Sequence, residues 1–290
     1  MRAAFTEKQR EEAITHDGYL VVDFINPDEL EEVRQAVKEL GFGVAHENKL
    51  RISTTHESVE KKIEIFEKLS PLFQRVADNI LYNYKLIRIA LFDKLPGGKE
   101  NSFHSHPNLV DESKYRSFTT WAPLTATTVE MGTLHVIKGS HKFANHFRSY
   151  NDYFLPYKGV SRKLIGKYGT PLLLKAGQAV IFDDRLIQQI PPSKSTMIWS
   201  AIKLDFIPQE AKLTIYYRTN EKELLSYTID EKSFREAALT IKKSDDLQLI
   251  GKLNQPNVSY SNKQIISMMK EVNPGAAKPD RNLFERLLNL

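Results

Sequence analysis

The chain has no cysteine. Disulfides, thiolate nucleophiles and cysteine-ligated zinc are therefore excluded, and so is a secreted disulfide scaffold. Charge of one sign is also scarce: 41 Lys and Arg against 36 Asp and Glu leave a formal +5 over 290 residues. No dense basic run carries interleaved aromatics, so nucleic acid is not an expected partner. No stretch approaches the roughly 20 apolar residues that span a bilayer, so a membrane is not expected either. Met1 to Glu7 holds no apolar signal core, and a soluble cytoplasmic protein is the expectation. Internal repeats are absent, and no Ser-His-Asp, Walker or Gly-rich dinucleotide pattern falls on a suitable strand and helix.

What is present is an ordinary globular balance, 41% hydrophobic and 27% charged. Gly18 to Phe24, rich in branched and aromatic residues, predicts a strand. Asn26 and Pro27 open a helix that runs to Leu40. Residues 58–84 read as two helices broken at Pro71, with Val59, Ile63 and Phe66, then Leu72, Val76 and Ile80, facing the core. From Leu86 the period changes to two. Residues 86–92, 118–124, 133–137, 171–174, 179–182 and 197–206 are short, turn-separated strands without interleaved helices. That pattern argues for a sandwich or jelly roll rather than a parallel α/β sheet. The segment 143–170, rich in Tyr and Phe, is a long insertion expected as a lid. Two further strands, 212–217 and 224–229, and a helix from Asp230 to Leu239 open the C-terminal part. Asn273 to Pro279 reads as a linker before a short amphipathic helix over 280–290.

Ser102-Phe103-His104-Ser105-His106-Pro107 is the stretch that points to chemistry. Two histidines at i and i+2 face one side of an extended segment, where two imidazoles can share one metal ion. His135 alternates with Leu134 and Val136 and is expected to face a barrel interior. His141, in a Gly-Ser-His turn, reads as a structural hydrogen bonder. Asp183 and Asp184 read as turn or cap residues, with a metal-carboxylate role as the alternative.

Several motifs together resemble the phytanoyl-CoA dioxygenase family of non-haem iron, 2-oxoglutarate-dependent oxygenases. They are His16-Asp17-Gly18-Tyr19, Leu91-Phe92-Asp93-Lys94, Tyr115-Arg116-Ser117, Trp121-Ala122-Pro123-Leu124, the run from Gly132 to His141, and the run from Lys175 to Ile187 with Pro191-Pro192. The resemblance spans about residues 8 to 206. It implies a mainly β fold with flanking helices, a double-stranded β-helix or cupin-like jelly-roll barrel. It further implies three parts: a barrel domain with its N-terminal helices over 1–206, an extension packed on the barrel over 207–272, and a linker with terminal helix over 273–290.

The family holds iron on His-x-Asp and a distal His. Position for position, His104 stands at the first His, His106 at the Asp and Gln188 at the distal His. The metal set implied here is therefore His104, His106 and Gln188, with no anionic ligand and a weaker hold on Fe(II) or another divalent ion. Trp199 stands where the family has the arginine that grips 2-oxoglutarate, and it is expected to fill the space of the co-substrate tail. Binding of 2-oxoglutarate is accordingly expected to be weak or absent. Lys203, Arg185 and Arg116 are the candidate replacements for that clamp, with ion pairing elsewhere as the alternative. Three readings follow: an oxidoreductase with an altered metal centre acting on a small organic substrate, a catalytically silent member that binds a small molecule or a protein, or an ordinary hydroxylase with unrecognised ligands. Oligomeric state has no signature in the sequence.

Overall fold

The computed structural model describes residues 3–44, 47, 49–99, 101–152, 155–161, 164, 168–237 and 247–272. The helix expected over 280–290 lies outside them. No helix among the described residues is long and apolar enough to cross a membrane.

Helix α1 (Lys8–Asp17) leads into strand β1 (Tyr19–Asp23) through Gly18, at φ 82°. A Cβ at Gly18 would stand 2.4 Å from the His141 ring, so glycine is needed there for both backbone and space. Helix α2 (Pro27–Glu39) starts as expected. Asn26 accepts from the Glu29 amide at 2.9 Å, and the Glu29 carboxylate accepts from the Asn26 amide at 3.0 Å. Residues 42–57 contain β2 (Leu50–Ile52) and α3 (Ser53–His56).

Helix α4 (Val59–Asp78) corrects the reading of two helices, because it runs unbroken through Pro71. Pro71 is on the exposed face, as is Glu67 one turn earlier, so solvent can take the carbonyl that loses its donor. The buried stripe is Ile65, Leu69, Phe73 and Val76, continuous across the proline, while Val59 is exposed.

β1 and β2 belong to one six-stranded sheet with β3 (Tyr84–Lys94), β4 (Phe118–Pro123), β7 (Gln178–Asp183) and β9 (Trp199–Pro208). Its order is β1-β7-β4-β9-β3-β2, and the strands pair antiparallel. A second sheet, β6-β5-β8, is made of β5 (His135–Val136), β6 (Thr170–Pro171) and β8 (Gln188–Gln189). His104 joins it through an antiparallel bridge to Gln188.

Alternation along the strands sorts the side chains of the large sheet into two layers. Ile89, Leu91, Phe118, Ile181, Ile202, Leu204 and Phe206 pack with the N-terminal helices. Trp121, Val180, Phe182, Trp199 and Ala201 meet Leu134, Val136, Leu172 and Ile190 between the sheets. The result is the expected mainly β, jelly-roll barrel with helices outside.

The extension forms a third sheet, β10 (Thr214–Asn220), β11 (Glu223–Thr228) and β12 (Gln248–Asn254), together with α5 (Glu231–Glu236) and α6 (Asn262–Val272). Ile215, Tyr227 and Phe234 pack on Ile87, Leu109 and Ile207. Ile265 and Met269 of α6 pack with Phe103, Ile137, Tyr157, Leu164 and Ile187, behind the two-histidine segment.

The 143–170 insertion differs from the expected lid. Tyr150 is its one described residue that lines the barrel cavity. Tyr157 lies on the other side, stacked on Tyr260 at 5.7 Å and bonded to Ser105 at 2.9 Å. Contacts with the C-terminal extension draw this part of the insertion behind the site rather than over it.

Candidate functional site

A cavity between the two barrel sheets has a volume of about 230 Å³. Apolar walls come from Phe92, Trp121, Leu134, Phe182 and Ile190, and its polar groups include His104, His106, Gln188, Lys203, Arg88 and Tyr150. The pairing of His104 with β8 sets the two imidazoles beside Gln188. His104 N–H donates to the Gln188 carbonyl at 3.1 Å, and Gln188 N–H donates to the His104 carbonyl at 2.9 Å. The two rings stand 5.5 Å apart between centroids. The Gln188 amide nitrogen is 2.5 Å from His106 Nε2 and 3.5 Å from His104 Nε2.

The partners of the other ring nitrogens fix the tautomers. His104 Nδ1 faces the Ser102 carbonyl at 2.9 Å, which can only accept, so Nδ1 carries the hydrogen. His106 Nδ1 is 2.7 Å from the Thr119 hydroxyl, and that hydroxyl is 2.7 Å from Asp184 Oδ1. The single Thr119 proton is given to Asp184 Oδ1; burial, and then Asp205, push that carboxyl up to about 6. His106 Nδ1 must then donate. Burial pushes His104 down to about 3 and holds His106 well below its ordinary value, with Lys203 adding to the effect on His106. Both rings are therefore neutral, and both Nε2 lone pairs point toward Gln188.

Beneath them lies a buried charge cluster. Lys203 Nζ donates to Asp205 Oδ1 at 2.6 Å, and Arg88 Nε donates to Asp205 Oδ2 at 2.8 Å. Arg88 Nη1 also donates to the Tyr150 hydroxyl at 2.7 Å. Burial works against the Asp205 carboxylate, yet Lys203 and Arg88 hold its pKa below the usual range. Burial lowers Lys203, and Asp205 opposes that shift. Lys203 and Arg88 line the cavity while their counter-charges Asp205 and Asp184 do not, so the cavity wall presents cations to an anion.

The structure brings together His104, His106, Gln188 and Lys203 from the residues singled out in the sequence. It keeps four others out of the cavity. Trp199 does not fill it. Its indole N–H donates to the Met131 carbonyl at 2.7 Å, and its ring packs edge-on behind Trp121 at 6.2 Å. The argument against a carboxylate tail therefore loses its steric basis. Lys203, four residues further along the same face of β9, lines the cavity instead.

Arg116 pairs with Glu11 of α1, on the far side of the sheet. Arg185 closes a fork on its neighbour Asp183 at 2.8 and 2.6 Å. His135 points away from the interior because Leu134 points into it, and its Nδ1 meets the Thr133 carbonyl at 2.9 Å. His141 Nε2 bonds to the Thr15 carbonyl at 3.1 Å, where it anchors α1.

Arg88, Asp205, Thr119 and Tyr150 were missed. For three of them the signal was available: Arg88 alternates with Ile89, and Thr119 and Asp205 share the inward face with Trp121 and Lys203. Tyr150 comes from the insertion, where no periodicity marks it.

Residues 14–195 match the phytanoyl-CoA dioxygenase (PhyH) family, which is more than half of the chain. The chain belongs to the phytanoyl-CoA dioxygenase family. That membership makes it a member of a family of non-haem iron oxidoreductases. No curated protein sequence matches the chain. Solved structures of similar fold include EvdO2 from Micromonospora carbonacea var. aurantiaca complexed with 2-oxoglutarate, at 20% identity and TM-score 0.51, covering 72% of this chain and 94% of that one. HygX from Streptomyces hygroscopicus, with nickel and 2-oxoglutarate bound, matches at 14% identity and TM-score 0.51, covering 70% and 88%. The epimerase SnoN, in complex with Fe3+, alpha ketoglutarate and nogalamycin RO, matches at 12% identity and TM-score 0.54, covering 87% and 95%. At these identities the likeness is one of fold.

Proposed function

We propose that this member of the phytanoyl-CoA dioxygenase family is an oxidoreductase with an altered centre, in which His104 and His106 hold a divalent metal beside Gln188 and Lys203 holds the carboxylate of a small organic acid. One observation carries the reading: two neutral imidazoles direct their Nε2 lone pairs to one spot on the wall of a cavity that also contains an ammonium group. The donor set fits a divalent ion in part. Two imidazole nitrogens suit the later first-row metals, while the anionic ligand of a facial triad is lacking. Asp184, the carboxylate beside His106, faces Nδ1 at 3.3 Å, on the ring edge away from Nε2. Among the described residues, no three His, Asp or Glu converge as ligands.

A metal held there would supply Lewis-acid and redox chemistry to a ligand in the cavity. The chain's own residues do the rest. Thr119 and the Ser102 carbonyl fix the ring tautomers, so both lone pairs stay available. Asp205 and Arg88 hold Lys203 in place, and Phe92, Trp121 and Phe182 give the site apolar walls. A dicarboxylate of the size of 2-oxoglutarate suits the cavity, and the 2-oxoglutarate named for EvdO2 and HygX supports that choice. The substrate would be small and largely apolar.

Calorimetric titration with 2-oxoglutarate in the presence of Ni(II) tests this. Lys203→Met should weaken binding by about tenfold or more, since it removes a charge-assisted partner. His104→Ala and His106→Ala should each abolish Ni(II) uptake. Equal 2-oxoglutarate affinity in wild type and Lys203→Met would overturn the anion assignment.

A further inference from the structure

The Gln188 amide stands where the shared ligand of the two imidazoles would stand. Its nitrogen, rather than its oxygen, must face them. Both Nε2 atoms are acceptors, because both Nδ1 atoms carry the hydrogens given to Ser102 and Thr119. An amide nitrogen has two N–H groups and no lone pair to offer, so it can satisfy both rings as a donor. A cation needs the same two lone pairs. The two states exclude each other.

We infer that Gln188 is a built-in competitor for the metal seat: its amide caps the imidazole pair, and a metal enters only when that amide turns its nitrogen away. The inference rests on the reading of His104 and His106 as a metal-binding pair, and it adds what controls entry. The main chain of Gln188 cannot withdraw to admit an ion. It is pinned on one side by the reciprocal bonds to His104 and on the other by pairing with Val136 of β5. Release therefore falls to the side-chain torsions, inside a site where Gln188 is 3% exposed. Turning the amide gives up two hydrogen bonds in a dry environment, and metal affinity is lowered by that amount.

This view and the simple view of Gln188 as a ligand predict opposite signs. Ni(II) is titrated into wild type, Gln188→Ala, Gln188→Asn and His104→Ala, each checked for native near-ultraviolet dichroism. Gln188→Ala should bind Ni(II) about tenfold more tightly than wild type, from the loss of two competing hydrogen bonds. Gln188→Asn, whose shorter amide reaches at most one ring, should fall between them. In the metal-free protein, the acceptor 15N signals of both imidazoles should move toward the free lone-pair position in Gln188→Ala. Weaker or equal Ni(II) binding by Gln188→Ala, or unmoved 15N signals, overturns the competitor while leaving the two-imidazole seat standing, provided that His104→Ala has lost the metal. If wild type and both Gln188 variants all fail to take up Ni(II), the seat itself is refuted, and the competitor with it.

Discussion

The segment His104-Ser105-His106 has two sides that differ in kind. On the cavity side, each imidazole uses one nitrogen to fix its ring and turns the other toward the Gln188 amide, which can rotate. On the rear side, side-chain and main-chain groups are tied down several times over. Ser105 Oγ bonds to the Arg185 carbonyl at 2.9 Å and to the Tyr157 hydroxyl at 2.9 Å. The His106 carbonyl accepts from Arg148 Nε at 2.6 Å. Arg148, fully buried, also donates to the His146 carbonyl at 3.1 Å and pairs with Glu112. The comparison teaches that the separation of the two rings is imposed from behind, by groups that never meet a ligand, and that adjustment is confined to the front.

The sharpest way to break this contrast is Arg148→Met. It removes the grip on the His106 carbonyl and leaves Glu112, whose carboxyl burial already pushes up, without its cation. Urea unfolding should register a loss of about 3–5 kcal/mol, the usual result of orphaning one half of a buried ion pair. Adding Glu112→Leu should recover part of it. A loss below about 1 kcal/mol for the single variant would make the rear no firmer than the front.

Acid offers a milder route. His146 sits among Tyr157 and Tyr260 behind the site, and burial pushes it down to about 3 from an ordinary 6.5. The folded protein keeps this ring neutral while the unfolded chain protonates it. Its share of stability is therefore complete above about pH 6.5 and drains away as pH falls toward about 3. The buried rings of His104 and His106 tilt the curve the same way, so His146 is read by difference. Between pH 7 and 4.5, wild type should lose about 2 kcal/mol more than His146→Phe. Parallel stability curves would remove His146 from the account.

The smallest effect is expected from Tyr157→Phe, which deletes only the bond to Ser105. A cost of about 1 kcal/mol in unfolding free energy should come with a severalfold loss of Ni(II) affinity. Lost stability with unchanged affinity would mean that the rear supports the fold without setting the rings.

Much of the front was legible in the sequence. Spacing put His104 and His106 on one side of a strand, and the match of 175–187 to the family located Gln188 opposite them. The rear was not legible, because a buried arginine looks like a surface one until its partners are known. Arg148 finds Glu112 and His106 across 36 and 42 residues. The expectation that Trp199 fills the co-substrate space followed family position, whereas the cavity is lined further along the same face of β9, at Lys203, one of the candidate replacements for the clamp. Pro71 misled for a related reason. Its effect depends on whether solvent reaches the carbonyl one turn back, which local sequence does not record. In the extension, β12 is largely exposed and lacks the alternation that marks the barrel strands.

The stacking of Tyr157 on Tyr260, with α6 packed beyond it, has a consequence for the order of synthesis. When a ribosome has released the family segment, residues 14–195, both histidines, Gln188, Arg148 and Tyr157 exist, but the extension residues packed behind Tyr157 do not. Tyr260, Ile265 and Met269 arrive last, so the outer packing behind Tyr157 is the last part of the rear to be completed. A chain that stops near residue 206 should keep every candidate ligand and the bonds from Arg148 and Tyr157 to their segment, while losing the packing of Tyr260 and α6 behind Tyr157.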